Sequence, residues 1–214
     1  MTDIDFFFDP ISPYAYLAFE HLPQALEGCS YVVHYRPILF AGLLNHWGQK
    51  GPAEIEPKRA WTWRQVAWTA RQLGIPLDGP AVHPFNPLSL LRFALACAPA
   101  GGLPNRRVVE AVFRHVWRGG ADPTDTARVH TLAETLAPLR DPQGEDVKLE
   151  LRQATDDAKA IGVFGVPTMR VGERLFWGVD ALPMLRACLQ GDPWFDPDHW
   201  QALAKPTPGV SRVR

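Results

Sequence analysis

The chain has 214 residues, enough for one or two domains with a proper core, and its 46% hydrophobic and 21% charged residues exclude a disordered chain. Lys and Arg number 22 against 23 Asp and Glu, which excludes the strong positive excess of a nucleic-acid-coating surface. Only three cysteines are present, Cys29, Cys97 and Cys188, none in a Cys-x-x-Cys pair, which excludes a disulfide framework and a zinc ribbon.

The N-terminus, MTDIDFFFDPIS, carries acids where a secretory signal has a basic region. No apolar run reaches the length of a membrane span, about 18 residues. A cytoplasmic protein with reduced thiols is expected, with no membrane or nucleic-acid partner and no metal. Ile4 to Phe8 predicts a buried strand, stopped by Asp9-Pro10. Ser12-Pro13 opens a helix, because Ser is a good N-cap and Pro suits the first helical position. Tyr14, Leu17, Ala18 and Leu22 give that helix an apolar stripe, Pro23 is placed to kink it, and Gly28 ends it. Tyr31 to Tyr35 is a second strand. A strand–helix–strand this short requires parallel strands and a right-handed crossover.

From Phe40 to Ile161 the period is helical, with five segments: Pro57–Leu73, Asn86–Ala98, Asn105–Trp117, Asp125–Leu136 and Val147–Ile161. Most of the 21 prolines, about twice the usual share, fall between these segments. Thr168–Val171 and Arg174–Trp177 flank Gly172-Glu173 as a hairpin, and Asp180 is placed to N-cap a last helix to about Leu189. A β-α-β unit and a β-β-α unit separated by helices is the thioredoxin arrangement. The fold class expected is therefore α/β, thioredoxin-like, with an inserted all-helical domain. Residues 1–39 and 162–205 form the thioredoxin-like part, 40–161 the helical insertion, and 206–214 a loose tail.

In open α/β sheets the ligand sits beyond the carboxyl ends of strands, at helix N-termini. That position here is the loop Asp9-Pro10-Ile11-Ser12-Pro13-Tyr14-Ala15, in which Ser12-Pro13-Tyr14-Ala15 stands where thioredoxin-like oxidoreductases carry Cys-Pro-x-Cys. Both sulfurs are absent, so dithiol–disulfide exchange through this motif is excluded. Ser12 either only caps the helix or donates a hydrogen bond to an anion at the helix N-terminus. Val166-Pro167 before a strand is a candidate cis-proline loop, or a simple loop. In the first case it presents Val166 backbone groups to an extended peptide. Trp177-Gly178-Val179-Asp180 offers backbone N–H groups for a carboxylate and the Asp180 side chain for an ammonium, or Asp180 is only a cap. A thiolate at Ser12, a peptide backbone along Val166-Pro167 and an amino-acid head at Val179-Asp180 together describe glutathione. His34, His83, His115 and His130 show no metal-ligand spacing, and Cys97 is expected as a buried thiol.

The runs DFFFDPISPYAYLAF and GVFGVPTMRVGERLFWGVDALPML, with GIPL between them, resemble the 2-hydroxychromene-2-carboxylate isomerases, relatives of kappa-class glutathione transferases in the DsbA-like branch of thioredoxin folds. The resemblance extends over residues 3 to 190. It implies a glutathione-dependent homodimeric enzyme of aromatic-compound catabolism, acting on a small aromatic or conjugated molecule. By position, Ser12 matches the catalytic serine and Val166 the backbone glutathione contact. Trp177 to Asp180 match the γ-glutamyl contact. Lys58 matches a basic residue near glutathione, with Arg59 as an equally placed competitor. In the namesake reaction glutathione adds, the ring opens, a bond rotates and glutathione leaves. Two other functions stay open: a kappa-type glutathione transferase or peroxidase, and a non-catalytic thioredoxin-like binding module. The naphthalene-pathway isomerases place a lysine and an Asn-Arg pair where Leu44, Glu54 and Ile55 stand here, and a tyrosine at Phe85. The substrate pocket is accordingly expected to be apolar and aromatic, with Trp47, Trp61 and Phe85 as candidates.

Overall fold

The computed structural model describes residues 1–204, so the expected tail at 206–214 lies outside the described residues. The chain runs β1 (Thr2–Phe8), α1 (Pro13–Ala25), β2 (Tyr31–Pro37), then six helices: α2 (Phe40–Trp47), α3 (Glu56–Leu73), α4 (Leu88–Ala96), α5 (Arg106–Trp117), α6 (Thr126–Leu136) and α7 (Glu145–Ala160). It returns through β3 (Thr168–Val171), β4 (Arg174–Trp177), α8 (Leu182–Leu189) and α9 (Pro197–Leu203). The sheet order is β2-β1-β3-β4, with β1 parallel to β2 and antiparallel to β3, and β3 antiparallel to β4.

Alternation along β1 divides the core. Ile4, Phe6 and Phe8 face the side covered by α1 and α5, where Phe19, Phe113 and Trp117 pack. Phe7 faces the other side, with Ile38, Leu43, Ala158, Val163 and Val166 from the α2, α7 and β3 approaches. Both faces of the central strand are therefore dry, which is why it reads as a continuous aromatic run rather than an alternating one. Between strands, Asp5 at the register partner of Arg170 pairs with Arg36 at 2.5 Å and faces the Arg170 guanidinium at 3.9 Å.

Six helices separate β2 from β3, not the five read from periodicity. The additional one is α2, whose N-cap Leu39 makes no side-chain cap. Its first N–H, at Phe40, donates instead to Asp9 Oδ2 at 2.9 Å, so the capping group is supplied from 31 residues away. Helix α9 was not expected either; it is capped by Asp196, which accepts from Asp198 and His199. Asp180 does not N-cap α8: it sits in a 3-10 turn, Val179–Ala181, and the cap position is Ala181. Helix α1 continues through Pro23 to Ala25.

Candidate active site

The site is built at the carboxyl end of β1. Asp9 follows the strand and is fully buried. Its Oδ1 accepts from the Ile11 N–H at 3.0 Å, its Oδ2 from Phe40, and its carbonyl from the Ser12 N–H at 3.0 Å. Burial pushes its carboxyl up to about 7, against the pull of the two backbone donors. The next two carbonyls are held from the helical segment: the Trp117 indole N–H donates to Pro10 O at 2.9 Å, and His83 Nε2 lies 2.9 Å from Ile11 O. A carbonyl only accepts, so His83 carries its hydrogen on Nε2. Burial lowers the pKa of this imidazole, which favours its neutral form. Trp117 is itself fully buried. Trp117→Phe leaves the Pro10 carbonyl without its partner and is expected to lower the unfolding free energy by about 1–3 kcal/mol in urea titration.

Ser12 makes two contacts. It is the N-cap of α1, its Oγ accepting from the Ala15 N–H at 3.2 Å. The same hydroxyl donates to Val166 O at 3.2 Å, bridging the helix N-terminus to the loop before β3. Both residues are 7% exposed. The Val166–Pro167 peptide is cis. Pro167 O in turn accepts from the Gly178 N–H at 3.0 Å, so the loop and the end of β4 are one unit. Gly178 has φ +94°, a conformation that requires glycine, and a Cβ there would also meet the Asp180 side chain.

A groove of about 670 Å³ opens beside this unit. Val166, Pro167, Trp177, Gly178, Val179 and Asp180 line one end of it. Tyr14 joins them from α1, its hydroxyl 2.7 Å from Gln65 Oε1 on α3. Burial pushes the Tyr14 phenol above its usual value and the Asp180 charge adds to the effect. The remaining wall comes from α1, α3 and α8. Sequence reasoning gives no site role to Tyr14, Gln65 or Asp9. Asp9 and Tyr14 carry a positional signal, as members of the loop expected to hold the site; Gln65 carries none.

Five expected residues lie outside this lining. Ser12 lies behind it, joined to the lining residue Val166 by its hydroxyl. Lys58 is exposed in the first turn of α3, and Trp61, one turn on, is 61% exposed. Trp47 donates its indole N–H to Val163 O at 3.0 Å, and Phe85 is buried in the main core beside His83. Of the residues that replace basic groups in the isomerases, Glu54 accepts from the Gly51 N–H at 2.6 Å and Ile55 is exposed. Among the described residues, no cluster of His, Cys, Asp or Glu is placed to hold a metal ion, and no helix is long and apolar enough to cross a membrane.

The profile of the DSBA-like thioredoxin domain matches residues 3–190. The chain is 31% identical over 196 residues to a 2-hydroxychromene-2-carboxylate isomerase of Sphingobium xenophagum, covering 87% of this chain and 97% of that protein. It is 25% identical over 211 residues to glutathione S-transferase kappa 1 of Rattus norvegicus, covering 91% and 93%. A solved 2-hydroxychromene-2-carboxylate isomerase structure superposes with a TM-score of 0.77 at 24% identity, over 92% of this chain and 98% of that one. The chain belongs to the DSBA-like thioredoxin family, in the group that contains the 2-hydroxychromene-2-carboxylate isomerases.

Proposed function

We propose that the protein is a glutathione-dependent isomerase of the 2-hydroxychromene-2-carboxylate isomerase type, acting on a small aromatic or conjugated molecule. The observation that carries this is the Ser12 hydroxyl, held 3.2 Å from the carbonyl of Val166, a residue on the wall of a groove that contains both a carboxylate and a guanidinium. The two positions that carry thiols in the redox members are Ser12 and Ala15 here, so a sulfur must arrive with a ligand. Glutathione, when bound, supplies a sulfur nucleophile. The residues that fit it are Ser12 for the sulfur, Val166 for the peptide backbone, and Gly178 to Asp180 for the amino-acid head.

What this chain does is position and stabilise charge. The single hydroxyl hydrogen of Ser12 is directed at Val166 O. A ligand N–H that occupied the Val166 carbonyl would release that hydrogen for an anionic sulfur, alongside the positive end of the α1 dipole. One such charge-assisted bond is worth about 1.5–3 kcal/mol, enough to lower a thiol pKa by about one to two. Asp180 forms no ion pair among the described residues, and its carboxylate suits an ammonium group. Tyr14, kept as a neutral phenol, does not compete for that cation.

Titration calorimetry with glutathione, followed by mass analysis of product from a hydroxychromene carboxylate, tests the proposal. Binding with product of unchanged mass is expected. Asp180→Asn is expected to weaken glutathione binding about tenfold. Product heavier by one glutathione would assign transferase chemistry, and no binding at millimolar glutathione would leave a binding module instead.

A further inference from the structure

The two loops that meet at the Ser12–Val166 contact are both bonded to α2, one at each end. At its start, the Phe40 N–H donates to Oδ2 of Asp9, three residues before Ser12. At its end, the Trp47 indole N–H donates to the carbonyl of Val163, three residues before Val166. The helix has eight residues, about 12 Å, and its buried Leu43 packs in one cluster with Val163 and Val166. The loop's carbonyls are taken in turn. Val163 O accepts from Trp47, Gly165 O from the Thr168 hydroxyl at 2.7 Å, Val166 O from Ser12 and Pro167 O from the Gly178 N–H. The Thr168 and Gly178 donors belong to the β3–β4 unit itself and move with it. Among the described residues, Trp47 and Ser12 are the donors that reach these carbonyls from elsewhere in the fold. Val163 is fixed a second time by its N–H, bonded to Ala158 O near the end of α7 at 2.9 Å. Gly165, between Val163 and Val166, is the residue type with the most backbone freedom to lose.

We propose that Trp47 is a positioning residue, which holds the Val166 carbonyl in place when a bound ligand takes that carbonyl over from Ser12. The inference rests on the glutathione proposal above. In the free protein the Ser12 hydroxyl holds Val166 from α1. A ligand N–H that replaces it frees Ser12 for the sulfur, and it also removes that hold. Of the two donors from elsewhere in the fold, Trp47 then remains. An acceptor already fixed when the ligand arrives costs less ordering on binding, so the bond from α2 appears as affinity. The role belongs to the indole N–H and not to the half-exposed ring.

Two substitutions separate the N–H from the ring. Trp47→Phe keeps an aromatic ring and removes the donor. Trp47→His keeps a five-membered ring with Nε2 where the indole nitrogen stood, and removes the outer ring. Calorimetry at pH 8, where that imidazole is neutral, uses glutathione and a sulfur-free pair: γ-glutamyl-alanyl-glycine and its depsipeptide, in which an ester oxygen replaces the alanyl N–H. The pair is smaller than glutathione and enters wherever glutathione does. The native protein is expected to prefer the peptide over the depsipeptide by about tenfold, the scale of one hydrogen bond. Trp47→Phe is expected to reduce that preference to about threefold or less, with depsipeptide binding unchanged, and Trp47→His to keep it. A preference of equal size in the native protein and Trp47→Phe overturns the proposal, whatever urea unfolding shows, and leaves Trp47 a packing residue. Equal weakening of peptide and depsipeptide in Trp47→Phe overturns it too, by giving the ring a ligand contact of its own. If the Phe variant does not fold, the His variant decides: a preference lost in folded Trp47→His overturns the proposal and a preference kept supports it. In each of these cases glutathione binding stands. Absence of glutathione binding to the native protein removes the glutathione proposal and this one with it.

Discussion

Ser12→Ala is expected to lower kcat/KM of the glutathione-dependent reaction by one to three decades, about the scale of losing one donor from a charge-stabilising site. The substitution removes two contacts at once, and they report on different things. Loss of the bond from Ala15 uncaps α1 and costs about 1 kcal/mol of stability. Loss of the hydroxyl that now faces Val166 removes the hydrogen available to the sulfur. Ser12→Gly separates them, because glycine at an N-cap costs only a few tenths of a kcal/mol relative to serine. Both variants lose the Val166 contact, so the glycine variant is expected to match alanine in lost activity and to exceed it in urea stability by the difference in capping. The pH–rate profile supplies a further mark: the limb that reports sulfur ionisation should move up by about one to two pH units in both variants. Turnover unchanged in both would remove Ser12 from the chemistry and leave it a cap.

The second large effect is expected at Asp9, on stability rather than turnover. Its carboxyl is raised to about 7 in the folded protein from an ordinary value of 3.8. Between those values the folded state holds a proton that the unfolded chain has released. Stability from this group is therefore complete below about pH 4 and is lost as pH rises towards 7. The full loss is about 4 kcal/mol, because raising an ionisation midpoint by one pH unit corresponds to about 1.4 kcal/mol. Urea unfolding of the native protein at pH 5 and at pH 8, set beside Asp9→Asn, measures the part that falls between those values, about 2.5 kcal/mol. The variant loses a cap, because an amide has one acceptor oxygen where Asp9 uses two, for Ile11 and for Phe40. It should be less stable at pH 5 and lack this contribution to the pH slope. Parallel pH dependences for the two proteins would show that Asp9 does not titrate in this window.

Asp9 also shows where the sequence stops being legible. The strand–helix–strand start, the hairpin and the Ser12 cap are local: apolar period, a Pro at the first helical position, Gly172 between two strands. They appear in the structure with the residues expected. Fold topology alone brings the Ser12 and Val166 neighbourhoods together, and the hydroxyl-to-carbonyl contact joins them. Helix α2 carries no local start signal because its capping oxygen belongs to the loop after β1. The same holds for His83 and Trp117, which have no functional signature. An imidazole and an indole bonded to main-chain carbonyls 72 and 107 residues away leave no spacing to read. The aromatic residues offered for a substrate pocket, Trp47, Trp61 and Phe85, mark the opposite limit. Richness in tryptophan does not say whether a ring faces a groove, the core or water.

The grip of Trp117 and His83 on the carbonyls of Pro10 and Ile11 has a thermal consequence. The backbone that presents Ser12 is anchored to the largest buried side chain of the core and to a half-buried ring packed against it. A loop held in this way has little freedom left to lose when a ligand arrives, so binding orders few additional residues. It also has no separate melting step of its own. On heating, glutathione binding and the near-ultraviolet signal of the packed aromatic core should disappear together, at one temperature, because the site can come apart only when the layer behind it does.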